Sequence, residues 1–429
     1  MRILFLTNFY PPHELGGQGQ SCRQVVGELQ ARGHQTLVLT SMHGTNNRPV
    51  ESAGVSRSLY LEMDLVPWRQ SLTFFFKRNA REAHNLRRLR HLLAKFQPDV
   101  VFVWGMWNLP RSLPALAEAE RPGKVLYRFA DYWPTLPSQH EQYWRAEGRN
   151  WLAKLPKRVL AYIALKILAF DGEPPALKFE HAICVSAATR DILVKAGIPI
   201  SNAWIIHTGL NAEQFMGSRQ SNRVGSRAEN LNLLYAGRLS ADKGVEVTIE
   251  AMTKLVFDHN LTRLRLSMAG SGSADYENHL RSLVNRAGLA DYVSFLGRVP
   301  RQDMPALMGQ FDILLVPSTW QEPFARVVLE GMSAGLAVVA TPTGGTGEIV
   351  ADGETGLLFT PGDAGELAQK IAALAADAQL RRRLAAAGRQ TVAQKFTTTR
   401  MMNQIEACLQ EIAALPAPPP PGHKQPAVA

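Results

Sequence analysis

The chain has 429 residues, 46% hydrophobic and 20% charged, a globular composition too long for one ordinary core, so two or more domains are expected. Its net charge of +10 lies wholly in the first half, where residues 1–200 hold 26 Lys/Arg against 16 Asp/Glu and the remainder 21 against 21; this fits either an anionic partner or a solvated basic face. Cys22, Cys184 and Cys408 stand far apart with no CxxC spacing, which argues against a disulfide framework or zinc site and reads as reduced thiols in a cytosolic protein.

Short apolar, β-branched runs alternate with longer helical patterns along the chain, as in βα units around a parallel sheet. In the first half, strands are expected at 3–7, 36–40, 100–103, 125–129, 182–185 and 204–207. The opening run from Met1 to Asn8 is too short for a signal peptide, and no stretch of about 18 apolar residues offers a membrane span. Between 143 and 170, Trp144, Trp151, Lys154, Lys157, Arg158 and Lys166 alternate with aliphatic residues. That pattern describes either a helix lying on an anionic membrane surface or an ordinary surface helix, broken at Pro156.

Residues 211–230 are polar, rich in Gly and Ser, and without clear period, as in a linker. Beyond it, strands are expected at 232–235, 265–268, 293–296, 313–316 and 337–340, and helices at 364–377, 379–396 and 399–414. The predicted organisation is an α/β chain: a first Rossmann-like domain at 1–210, a linker at 211–230 and a second Rossmann-like domain at 231–395. A helix at 396–415 packs back on the first domain, and a Pro-rich tail covers 416–429. In doubly wound folds ligands bind at the carboxyl ends of strands, and a two-domain arrangement places the site in the cleft between them.

Four loops after strands carry residue types suited to phosphate and sugar. The first, 11–21, offers Gly16, Gly17 and Gly19 before a helix; it lacks the third glycine and downstream acid of a dinucleotide fingerprint. The second follows the strand at 232–235 with Gly237, Arg238, Lys243 and Gly244, two cations for a diphosphate. In the third, Glu322 and Glu330 are eight residues apart. Pro323 puts Glu322 in the loop and Glu330 inside the next helix, so a carboxylate for sugar hydroxyls stands beside helix N–H groups suited to phosphate. The fourth, 341–348, turns on Gly344 and Gly345.

Together these loops resemble the retaining glycosyltransferases of family 4 (group 1). The resemblance spans Met1 to about residue 410 and is most specific at 237–244, 322–330, 333–341, 344–350 and 352–359, which keep the family's order and spacing. Residues 11–17, 181–186 and 205–209 also resemble the group.

The resemblance implies the GT-B fold, two facing Rossmann-like domains with the second holding a nucleotide-sugar donor. It implies that Arg238 and Lys243 meet the donor diphosphate, Glu322 the transferred sugar and Glu330 the nucleotide ribose. Gly237, Phe324, Ala325, Gly344 and Gly345 complete the donor cradle, with Gly16 and Gly17 near the phosphate or acceptor from the first domain. No cofactor and no metal are expected. With the basic first half and the 143–170 segment, the expected acceptor is a carbohydrate or lipid-linked hydroxyl, as in surface polysaccharide, lipopolysaccharide or glycolipid assembly; the chain is expected in the cytoplasm, either free or in peripheral contact with an anionic membrane through 143–170, and without nucleic acid.

Two positions depart from the family pattern. Ala130, before Asp131, stands where many relatives carry histidine, which leaves His13 and Asp131 as candidates on the acceptor side. Ala325 stands where relatives have glycine, and its methyl is expected to narrow the backbone's approach to the donor. An inactive sugar-nucleotide-binding scaffold and a sugar-nucleotide epimerase of the same fold are the competing readings.

Overall fold

The structure is a computed structural model describing residues 1–13, 16–65, 70–147, 151–216 and 230–416. Glu14 and Leu15 of the first loop, most of the expected linker and the tail beyond 416 lie outside the described residues, as do the side chains of Trp151 and Lys154.

Two compact units divide the chain. The first comprises Met1–Cys184, Arg190–Ile205 and the segment from Met402 onward; the second comprises Val185–Thr189 and Ile206–Met401. The sequence reading had placed the change at residue 210 and kept 185–189 in the first domain.

In chain order the first stretch runs β1 (Arg2–Thr7), α1 (Gly17–Ala31), β2 (Gln35–Ser41), β3 (Val50–Ser52), β4 (Val55–Leu59), α2 (Gln70–Phe96), β5 (Val100–Gly105), α3 (Ser112–Glu120), β6 (Val125–Phe129), α4 (Gln139–Arg145), α5 (Trp151–Asp171), β7 (His181–Cys184), α6 (Ala187–Lys195) and β8 (Trp204–Ile205). Its eight strands lie in the order β3-β4-β2-β1-β5-β6-β7-β8, and only the β3–β4 pair is antiparallel. β1 and β5 are apolar almost throughout because both faces of a central parallel strand are covered. Leu4, Leu6, Val101 and Val103 pack with α2 and α3 residues such as Leu89 and Leu113. The alternate residues Phe5, Phe102 and Trp104 form a ring cluster with centroids 5.2–6.3 Å apart.

The remainder runs α7 (Glu213–Met216), β9 (Leu231–Ala236), α8 (Val245–Thr253), β10 (Leu264–Ala269), α9 (Ala274–Arg286), β11 (Val293–Gly297), α10 (Met304–Met308), β12 (Ile313–Val316), α11 (Arg326–Ala334), β13 (Ala337–Ala340), β14 (Leu357–Leu358), α12 (Ala364–Ala376), α13 (Ala378–Lys395) and α14 (Thr398–Ala414). The six-stranded sheet is parallel throughout, in the order β11-β10-β9-β12-β13-β14. A period of two sorts its side chains: Leu233, Tyr235, Ile313, Leu315 and Val339 face one apolar cluster, and Leu234, Leu314, Val316 and Val338 the other. Each fully buried aliphatic side chain contributes about 1.5–3 kcal/mol, so covering both faces sets the doubly wound arrangement.

Three strands escaped the sequence reading. β3 is an exposed edge and β4 a buried but mostly polar strand, so Val-Glu-Ser and Val-Ser-Arg-Ser-Leu carry no apolar alternation, and β14 is only two residues long. Ala130 therefore follows the sixth strand, not the fourth. The expected break at Pro156 is also corrected, since Pro156 lies within α5. As the sixth residue of that helix it forgoes one i→i−4 hydrogen bond, and the helix continues through it. In α14, Glu406 pairs with Arg32 at 2.6 Å and His34 at 2.7 Å, and Lys124 Nζ donates to the carbonyls of Ile412, Ala413 and Leu415. All three cysteines are free and buried.

Candidate active site

Three loops leave the carboxyl ends of β9, β12 and β13, adjacent strands of the second sheet. The β9 loop turns through Gly237 and Arg238 into a short 3-10 turn, Ala241–Lys243, ahead of α8. Tyr235 fixes the bend by donating its hydroxyl hydrogen to the Arg238 carbonyl at 2.6 Å; burial pushes that phenol's pKa up, keeping it protonated.

The β12 loop docks on this turn through backbone. The N–H groups of Thr319 and Trp320 donate to the Asp242 carbonyl at 3.0 and 3.1 Å. Gly244 has φ +65°, and a Cβ there would lie 1.9 Å from the Pro317 carbonyl oxygen, so only glycine allows this close approach. The β13 loop closes from the other side. Gly344 has φ +54°, where a Cβ would fall 2.1 Å from the Glu322 carbonyl oxygen, and the Gly345 N–H donates to that oxygen at 2.7 Å. Gly344 and Gly345 therefore pin the backbone at Glu322.

These contacts bring Lys243 and Glu322, 79 positions apart, into an ion pair with Nζ 2.5 Å from Oε1. Both side chains are largely shielded, 19% and 13% exposed, and Lys243 Nζ also lies 4.9 Å from the centre of the Trp320 ring. Arg238 stays open to solvent and pairs with Asp242 at 3.1 Å. Burial alone would raise the Asp242 pKa, but the charges of Arg238 and Lys243 hold it below its ordinary range.

Glu322 lies in the loop and Glu330 inside α11. Glu330 accepts from Arg326 Nε at 3.1 Å and sits 3.6 Å from Arg301, so its carboxylate carries two cationic neighbours. Phe324 stacks on His207 with centroids 5.2 Å apart. Ala325 caps α11 and is buried in the apolar cluster beneath it. The expectation that its methyl would crowd the loop's approach to a ligand is corrected, because that methyl packs in the core.

In the first unit, Gly16, at φ +81°, caps α1, and Gly17 is the helix's first residue. Gln18 then donates to Asp131 Oδ2 at 3.0 Å, and the Trp133 N–H donates to the other oxygen at 3.2 Å. Burial holds the Asp131 pKa above its ordinary range despite these bonds. Gly16, Gly17 and Asp131 are thus brought together around Gln18. His13 is placed elsewhere: it packs on Gly44, where an added Cβ would come within 2.3 Å of its ring.

Comparison with known proteins matches residues 218–391 to the group described as glycosyl transferases group 1, and residues 15–214 to glycosyltransferase family 4. The chain belongs to this glycosyltransferase family. Glycogen synthase of Mycobacterium tuberculosis is 26% identical over 92% of the chain and 91% of its own length. Among solved structures, sucrose-phosphate synthase of Thermosynechococcus elongatus matches with a TM-score of 0.70 at 19% identity, covering 96% of this chain and 98% of that one. Anabaena HepE, solved in complex with UDP-glucose, matches with a TM-score of 0.65 at 21% identity, covering 96% and 100%. The fold is GT-B, with two Rossmann-like units.

The sequence reading of this glycosyltransferase missed the supports of the loops. Ser186 Oγ donates to the Pro323 carbonyl at 2.7 Å, with Thr189 Oγ1 at 3.2 Å from the same oxygen. Glu348 accepts from His207 Nε2 at 2.9 Å and from the N–H groups of Ala187 and Ala188 at 3.1 and 2.9 Å. Burial works against the charged carboxylate, but these donors hold its pKa below the ordinary value. Ser186, His207 and Glu348 all fell within matched motifs, yet nothing local signals that they meet. Among the described residues, no helix is long and apolar enough to cross a membrane.

Proposed function

We propose that this glycosyltransferase moves a sugar from a nucleotide-sugar donor to a hydroxyl acceptor with retention of anomeric configuration. The observation that carries the reading is the Lys243–Glu322 pair, an ammonium for phosphate beside a carboxylate for sugar hydroxyls, held where three loops converge. Arg238 and Lys243 offset the charge on the leaving diphosphate, so no metal is required for that task. Glu322 orients the transferred sugar. Glu330 accepts from the nucleotide ribose beside its neighbours Arg326 and Arg301, and the backbone at Phe324 and Ala325 borders the phosphates at the start of α11.

With Ala130 in place of a histidine, the leaving phosphate accepts the proton of the attacking hydroxyl on the face the nucleotide leaves. The first donor to test is UDP-glucose, the ligand of the Anabaena structure. The acceptor is lipid-linked, and the chain works at the cytoplasmic face of a membrane. Support for this comes from α5, which exposes Leu155, Val159, Tyr162 and Ile163 beside Arg158 and Lys166.

A thermal-shift screen of nucleotide sugars tests the donor, because a ligand at about 100 times its Kd adds roughly 2.7 kcal/mol of stability. Lys243→Ala and Glu322→Gln are each expected to cost about 2–4 kcal/mol in kcat/KM while folding normally. Near wild-type turnover in both variants would overturn the assignment.

A further inference from the structure

A pocket of about 390 Å³ lies wholly in the first unit, beside the carboxyl ends of β4, β5 and β6. Side chains from distant parts of the chain build its walls. The loop after β4 is stapled twice: the Asn85 amide exchanges two hydrogen bonds with the backbone of Tyr60, both 2.8 Å, and the Asn108 amide does the same with Met63, at 2.8 and 2.9 Å. Asn108 sits at φ +62° after β5, a conformation that asparagine tolerates better than most residues. Between the two staples stands Glu62, which accepts from the Gln139 N–H at 3.0 Å through Oε2. Among the described residues no hydrogen bond reaches its Oε1.

Across the pocket, Arg111 anchors one guanidinium nitrogen on the carbonyls of Pro134 and Leu136, each at 2.8 Å. Trp107 supplies apolar surface, and Trp133, packed on Phe129 and Phe179 with the Arg111 guanidinium over its ring, backs the wall. The cations Arg78 and Arg81 are already paired with Asp171 and Asp64, so the pocket is not an anion trap. Rigid carboxylate and guanidinium groups flanked by an indole suit a polyhydroxylated ring, whose hydroxyls need donors and acceptors and whose C–H faces need aromatic surface. The pocket's volume matches one or two sugar rings. Trp133 links the pocket to Asp131 through its backbone N–H, and Asp131 in turn to Gln18 at the start of α1.

We propose that this pocket receives a pyranose ring of the acceptor, with Glu62 and Arg111 directed at its hydroxyls and Trp107 at its face; this rests on the transfer function proposed above. Burial and the nearby Glu82 push the Glu62 carboxyl up to about 7, outweighing the Gln139 N–H and Arg111, so near neutral pH it can donate as well as accept.

Saturation-transfer NMR on the full chain with methyl glucoside, galactoside and mannoside tests the proposal. At least one glycoside is expected to bind, with affinity falling about tenfold to a hundredfold in Glu62→Gln and in Trp107→Ala. Lys243→Ala should leave glycoside binding intact while losing UDP binding, which separates this site from the donor site. Binding of none of the glycosides, equal binding in both pocket variants, or loss of glycoside and UDP together in Lys243→Ala would overturn it. If UDP still binds in the wild type and is lost in Lys243→Ala, the donor reading survives that failure.

Discussion

The candidate donor loops and the first-unit pocket of this glycosyltransferase are built by different means. In the second unit, backbone meets backbone: Gly244 lies against Pro317, Gly344 against Glu322 and Gly345 against Pro323, so loop positions depend on residues without a Cβ. In the first unit, side chains do the tying, as Asn85 and Asn108 reach from a helix and a loop to grip the segment carrying Glu62. The first construction leaves glycines at fixed short offsets and is readable as motifs. The second recruits single residues 25 and 45 positions apart from their partners and leaves no local pattern.

Substitution at the tightest glycine contact should separate the two constructions most sharply. Gly244→Ala must move the Pro317 carbonyl or leave the left-handed region, and is expected to cost about 3 kcal/mol. Gly33→Ala, at φ +85° with open space around the added methyl, should cost only about 1 kcal/mol. Urea unfolding of both variants checks the difference; equal losses would mean that conformation alone, not close approach, governs Gly244. Next in size, Asn108→Ala should lose about 2 kcal/mol by stranding the Met63 N–H and carbonyl. It should weaken glycoside binding without touching UDP binding, and calorimetry with both ligands reads the split.

A smaller effect concerns Glu348. Its pKa is lowered on folding, so its contribution is fully present above the ordinary carboxylate value of 4.5 and fades as pH falls through the lower folded value. Glu348→Gln should therefore flatten the acid limb of the stability–pH curve by about 1 kcal/mol, and an unchanged limb would remove Glu348 as its source. The least effect is expected from EDTA: transfer rates with UDP-glucose should stay constant, and a loss restored by magnesium would show that Arg238 and Lys243 do not suffice for the diphosphate.

Much of the fold was legible because buried parallel strands such as β5 and β12 are apolar on both faces. β3 was hidden because an exposed edge needs no such pattern, β4 because its buried residues are largely Ser and Arg, and Pro156 misled because a helix can continue through a proline at the loss of one hydrogen bond. At the candidate site, the motifs singled out Arg238, Lys243, Glu322 and the paired glycines, and the fold brings these onto three neighbouring loops. His207, Ser186 and Glu348 were not singled out as supports, since each joins elements far apart in sequence, and the same holds for Glu62 and Arg111.

The Lys243–Glu322 pair carries one more consequence. A lone phosphate that captured Lys243 would leave the mostly shielded Glu322 carboxylate without its counter-ion, and a free sugar that took Glu322 would abandon the ammonium. Either exchange strands a charge, at a cost of a few kcal/mol. A molecule presenting an anion and hydroxyls together replaces both partners at once. On the donor role proposed above, the loop pair would act as a coincidence detector, rejecting fragments of the donor by the charge each leaves behind.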